Sequence, residues 1–97
     1  MPFNQMIPRS FTPAAVHTYA PILSGVYGIS NAREWIYIGE TDNIQSSLLS
    51  HLHEQNTSLM KRIPTGFVFE VCDQTNRSSR QGDLVVEYGP ACNGGSR

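Results

Sequence analysis

The sequence predicts a small mixed domain of the α/β (α+β) class, with elements in the order α-β-β-α-β-α. Three observations predict it. Two short apolar segments, 26–29 and 35–38, flank a polar stretch and read as a β-hairpin. Ile44, Leu48 and Leu52 recur every four residues, with Leu49 beside them, which is an apolar stripe of helical period. Phe67, Phe69 and Val71 alternate with Val68, Glu70 and Cys72, and aromatic and β-branched residues at period two mark a third strand.

Taken in order, residues 1–11 read as a loosely held lead-in. Thr12 and Pro13 make a helix start, because the threonine hydroxyl can accept from free backbone N–H groups and proline fits the first helical position. A short helix over 13–19 follows, with His17 on its surface, and Pro21 ends it. Strand one covers 25–29. The turn is Asn31-Ala32-Arg33-Glu34, without the Asn-Gly pair of the tightest hairpins. Strand two covers 35–38, where Trp35 anchors the sheet edge or covers the core. Gly39 lets the backbone turn after it.

Thr41, Asp42 and Asn43 are each able to cap the next helix, expected over 44–54. Ser47 and His51, four apart, share a face of it. Residues 56–58 break the pattern, and 59–63 form a helical turn before Pro64. Strand three spans 65–72. A polar loop over 73–79 is the most loosely structured interior stretch. The last helix runs over 79–88 with Gln81, Leu84, Val85 and Tyr88 on one side. Gly82 weakens it by about 1 kcal/mol relative to alanine, and Gly89-Pro90 stops it.

Composition narrows the function classes. With 97 residues, 39% hydrophobic and 15% charged, the chain suits one folded domain with a modest core. No run is long enough to span a membrane, and the N-terminus lacks the charged-then-apolar order of a secretory signal. The expected compartment is the cytoplasm, with Cys72 and Cys92 as reduced thiols; the chain has no CxxC zinc spacing. Seven Lys plus Arg against eight Asp plus Glu give a net charge of −1, so no global basic footprint exists for a phosphate backbone. Local basic pairs remain at Lys61-Arg62 and at Arg77 with Arg80.

Over 22–93 the chain resembles the GIY-YIG nuclease family. The residues that carry the likeness are Gly25-Val26-Tyr27, then Tyr37-Ile38-Gly39 ten residues on, then Glu40-Thr41-Asp42-Asn43-Ile44 leading to Leu48 and His51, and a closing Leu84-Val85 with Pro90-Ala91-Cys92-Asn93. The resemblance implies a three-stranded antiparallel sheet flanked by helices. It divides the chain into a lead-in with a short helix (1–21), the GIY-YIG-like domain (22–93) and a flexible tail (94–97). It also implies single-metal hydrolysis of a DNA phosphodiester. A divalent ion held mainly by one glutamate polarises the phosphate, an arginine clamps its oxygens, and the signature tyrosines position or deprotonate water, with a histidine assisting in some members.

Carried over, the tyrosines are Tyr27 and Tyr37, the histidine is His51 and the terminal asparagine is Asn93. The arginine position holds Ser47 and the metal-holding glutamate position holds Gln81. Serine has no guanidinium fork, and a glutamine carbonyl lacks the charge that makes carboxylates good ligands for hard cations. Asp83 and Glu87 fall on other faces of the last helix from Gln81. Glu40 and Glu70 are the carboxylates whose placement decides whether the site is rebuilt. The expectation is a degenerate nuclease-like domain without strong activity, binding DNA or a protein partner. In that case no cofactor is expected. The alternatives are an active DNA endonuclease with relocated ligands, using Mg²⁺ or Mn²⁺, and a structural or protein-interaction domain, including self-association. No membrane partner is expected.

Overall fold

The computed structural model describes residues 7–54 and 57–92. Along them run β1 (Arg9–Ser10), α1 (Pro13–Tyr19), β2 (Gly25–Ser30), β3 (Trp35–Thr41), α2 (Ile44–His53), α3 (Ser58–Lys61), β4 (Gly66–Val71) and α4 (Arg77–Tyr88). The strands form one antiparallel sheet in the order β1-β4-β2-β3. The sheet thus has four strands among the described residues, not the three expected. The addition is β1, whose Arg9 and Ser10 lie opposite Phe67 and Gly66 of β4. Two residues carry no readable period. What holds β1 is tertiary: Phe11 is buried edge-on against Phe67, its N–H donates to the Thr65 carbonyl at 3.0 Å, and the Arg9 guanidinium lies 3.9 Å above the Tyr19 ring.

Local chemistry sets most element ends. The Thr12 hydroxyl accepts from the Ala15 N–H at 3.2 Å, and Asn43 caps α2 through the Ser46 N–H at 3.0 Å. Asn31 closes the hairpin turn by accepting from the N–H groups of Arg33 and Glu34. The last helix starts at Arg77, two residues before the expected Ser79. Asp73 accepts from the Asn76 N–H and the Thr75 hydroxyl, so the polar loop shrinks to a turn that already leads into the helix.

Helices cover both sheet faces. On one side Tyr27, Ile29, Ile36 and Phe67 pack with Phe11, Val16 and Ala20 from the chain start, Ile44 and Leu48 of α2, and Leu59 of α3. On the other, Val26, Ile38 and Val68 lie under Leu84 of α4, with the Trp35 and Tyr88 rings in tilted contact at 4.6 Å between centroids. A β-bulge joins Ile29 opposite Tyr37 to Ser30 opposite Trp35, leaving Ile36 as the extra residue. It places Ile36 and Tyr37 on the same, α2-covered side, where strict alternation would separate them.

The two sheet edges differ. Along β3, Ala91 and Cys92 donate N–H bonds to the carbonyls of Trp35 and Ile36 at 3.0 and 2.7 Å, and the Gln81 amide donates to Ile38 at 3.1 Å. Along β4, β1 reaches only Gly66 and Phe67; beyond them no described strand pairs with that edge. No described helix is long and apolar enough to cross a membrane. The lead-in before Ile7, the tail 94–97 and Asn93 lie outside the described residues.

Candidate functional site

Tyr27 sits at the centre of the sheet, opposite Gly39 on β3 and Phe69 on β4, and is 4% exposed. Its ring lies over Gly39. A Cβ there would stand 2.6 Å from the Tyr27 hydroxyl oxygen and 2.7 Å from Cζ. The glycine that closes the second tyrosine motif is therefore the space that the first tyrosine fills.

Helix α2 brings in His51. Capping at Asn43 and burial of Ile44 and Leu48 fix the helix, and His51, three residues after Leu48, projects toward the same side. Its Nε2 is 2.8 Å from the Tyr27 hydroxyl, and Tyr37 lies beside both. The Tyr27–Tyr37, Tyr27–His51 and Tyr37–His51 ring centroids are 6.0, 5.7 and 5.2 Å apart. Three of the residues singled out from sequence thus form one cluster.

Burial drives the electrostatics of this cluster. Desolvation, reinforced by Tyr37, pushes the Tyr27 phenol well above the usual tyrosine range. That is the wrong direction for a group that must take a proton from water near neutral pH. Desolvation also lowers the His51 pKa, with Glu54 acting partly against it. The imidazole is then neutral at pH 7, and one partner of the Tyr27–His51 pair donates while the other accepts.

A lowered folded-state pKa means that the unfolded chain binds the proton more readily. The stabilisation from His51 is complete above its unfolded value of about 6.5 and is lost as pH falls from there through the folded value. Thermal melts between pH 8 and pH 5 should show a decline in Tm beginning near that upper value. In His51→Gln this part of the decline should be absent; an unchanged profile in the variant would contradict the assignment.

The other two positions are placed differently. The Ser47 hydroxyl donates to Thr41 Oγ1 at 2.7 Å, and Thr41 in turn bonds the Asn43 backbone, so Ser47 joins the end of β3 to the start of α2. Gln81 belongs to α4, in the layer on the opposite sheet face from Tyr27, and its amide covers the Ile38 carbonyl. A carboxylate cannot donate that bond and would set its charge against the carbonyl oxygen.

Glu40 and Glu70 do not rebuild the site. Both stand opposite Val26 on neighbouring strands, on the α4 side. Arg77 Nε lies 3.0 Å from Glu40 Oε1 and its Nη1 donates to Ser24 at 3.1 Å, while Ser78 also donates to Glu40. Arg80 grips Glu70 with two bonds, at 2.7 and 2.8 Å. Arg62 pairs with Glu34 at 3.1 Å on the surface. The Arg77 and Arg80 contacts fasten α4 to the sheet, and all three pairs engage arginines that sequence offered as phosphate contacts.

A cavity of about 210 Å³ adjoins the cluster, lined by Tyr37, His51, Glu54, Thr57, Ser58, Leu59 and Cys92. Sequence reasoning passed over Glu54. Its position three residues after His51, at the C-cap of α2, was the available signal. Among the described residues no group of three or more His, Cys, Asp and Glu is placed to hold a metal ion. The Ser47 hydroxyl, bonded to threonine, and the Gln81 amide, turned to a carbonyl, do not fit a hard divalent cation.

No family model matches the chain, and no curated protein matches it. Solved structures do. The GIY-YIG N-terminal endonuclease domain of UvrC from Thermotoga maritima, bound to magnesium as its catalytic divalent cation, superposes with a TM-score of 0.68 at 23% identity, over 80% of this chain and 94% of that one. Two point mutants of that domain, each with one tyrosine changed to phenylalanine, give TM-scores of 0.68 at 21% and 23% identity over 80% of this chain. At this level of identity the likeness is one of architecture: the chain has the fold of a GIY-YIG endonuclease domain.

Proposed function

We propose that this chain is a GIY-YIG-fold domain without phosphodiester-cleaving activity, acting in the cytoplasm by binding a partner, and that this partner is a protein and not DNA. The carrying observation is the fate of the charged groups. At the two positions where the family places charge, Ser47 and Gln81 make neutral structural bonds, and Arg62, Arg77 and Arg80 are each paired with a glutamate. In other enzymes the loss of one electrostatic donor costs about 3–4 kcal/mol, some hundred- to thousand-fold in rate. Two such losses need not add, but they leave little to drive cleavage. Phosphate contacts would have to compete with Glu34, Glu40 and Glu70 for the same guanidinium groups.

Supercoiled plasmid incubated with the purified chain and Mg²⁺ or Mn²⁺ should stay intact. Duplex binding should be weaker than about 10⁻⁴ M at physiological salt, the lower end of non-specific affinity. The double change Ser47→Arg with Gln81→Glu tests whether the scaffold is still competent, and metal-dependent nicking by it would show that charge alone was missing. Cleavage by the natural sequence that disappears in Tyr37→Phe would overturn the proposal.

One observation favours a second reading, an active endonuclease with relocated ligands: Glu54 shares the cavity with Tyr37 and His51. A single exposed carboxylate is a sparse ligand set for Mg²⁺ or Mn²⁺. In that reading Glu54→Gln abolishes whatever cleavage the natural chain shows.

A further inference from the structure

The cavity beside the tyrosines has the wrong charge for a phosphate. Of the described residues that line it, only Glu54 carries a formal charge at neutral pH, and it is negative. Glu34, Glu40 and Glu70 each have an arginine partner, whereas the Glu54 carboxylate has no ion pair or hydrogen bond among the described residues. Thr57 is already engaged, donating to the Glu54 carbonyl and accepting from the Met60 N–H, so it leaves the carboxylate unanswered. Arg62 reaches Cys92 on the cavity wall, but its own charge is met by Glu34.

Apolar surface completes the arrangement. Leu59, itself almost fully buried, forms part of the wall, and Tyr37 adds an aromatic ring. A volume of about 210 Å³ lies below the roughly 300–1,000 Å³ of small-molecule sites and suits one long side chain. A carboxylate beside an aromatic ring and an aliphatic wall is complementary to a cationic head on a methylene stem.

We propose that this cavity takes a lysine or arginine side chain of a partner protein, with the head on Glu54 and the stem against Tyr37 and Leu59. The proposal rests on the protein-binding reading above and names the chemistry of the partner. It also reverses the polarity that a nucleic-acid site would need.

The test is an NMR titration of the full chain with N-acetyl-arginine methylamide and N-acetyl-lysine methylamide, against N-acetyl-glutamine methylamide and a DNA dinucleotide. Saturable shifts with the cationic probes, centred on Tyr37, His51, Glu54 and Leu59 and weakened at least tenfold in Glu54→Gln, are expected. Glu54 is exposed, so the variant should keep the wild-type spectrum elsewhere. No response to either cationic probe, an equal response to the neutral one, a dinucleotide preference at these residues, or an unchanged affinity in Glu54→Gln would each overturn it. Plasmid cleavage defeats the non-cleaving reading independently; a chain that neither cuts DNA nor answers the cationic probes defeats this inference alone.

Discussion

Gly25→Ala is expected to cost roughly 3 kcal/mol of folding stability, at the upper end of overpacking penalties. Gly25 is fully enclosed between β3 and β4, opposite Thr41 and Val71. A Cβ there would fall 2.2 Å from the Glu70 carbonyl oxygen, 2.8 Å from Ile44 Cδ1 and 3.0 Å from Val71 Cα. The isoleucine tip can swing aside, but the carbonyl and the Cα are backbone of β4. Relief requires prising β4 from β2, which disturbs the register that aligns Glu70 with Arg80. Urea unfolding should show a lower midpoint with little change in slope. A loss below about 1 kcal/mol would mean that β4 yields far more easily than a central strand pair should.

Gly39→Ala is expected to cost about 2–3 kcal/mol and to expel the Tyr27 ring. Here the obstacle is a side chain: the new methyl would meet the Tyr27 hydroxyl at 2.6 Å, Cζ at 2.7 Å and Tyr37 Cε2 at 2.8 Å. The phenol cannot turn away freely, because it is buried and bonded to His51. The variant should lose the Tyr27–His51 bond, visible as a change in the His51 ring resonances. Tyr27→Phe in the same background removes the nearest clashing atom, so the double variant should be less destabilised than the sum of the two single changes. Simple additivity would show that the alanine methyl and the phenol never compete for that space.

Much of the fold was readable because its signals are local. Thr12-Pro13 gave the first helix its start, and Asn43 the second. The third strand declared itself through Phe67, Phe69 and Val71. Strand β1 did not, since two residues have no period and its pairing depends on Phe11 finding Phe67 across the chain. The start of α4 is hidden in the same way, because the stretch from Asp73 has loop composition and its side chain closes on the Asn76 N–H only in the fold. Trp35 serves as an edge anchor, packed on Tyr88 at the C-terminal end of α4.

The site divides in the same way. The spacing of Tyr27, Tyr37 and His51 was legible, and these three converge. What Ser47 and Gln81 bond to was not, because Thr41 Oγ1 and the Ile38 carbonyl become their partners only in the folded chain. The fate of Glu40 and Glu70 follows from strand register: both stand opposite Val26, under the first turns of a helix that carries Arg77 and Arg80. No reading of composition could supply that register.

The unequal rims of the sheet limit how copies of this domain could join. On the β3 side the main-chain acceptors of Trp35, Ile36 and Ile38 are already taken by Ala91, Cys92 and Gln81, whereas past Phe67 no described strand pairs with β4 on its outer side. With those acceptors occupied, the β3 rim offers a second copy little free main chain to pair with, so extending the sheet from that side is disfavoured.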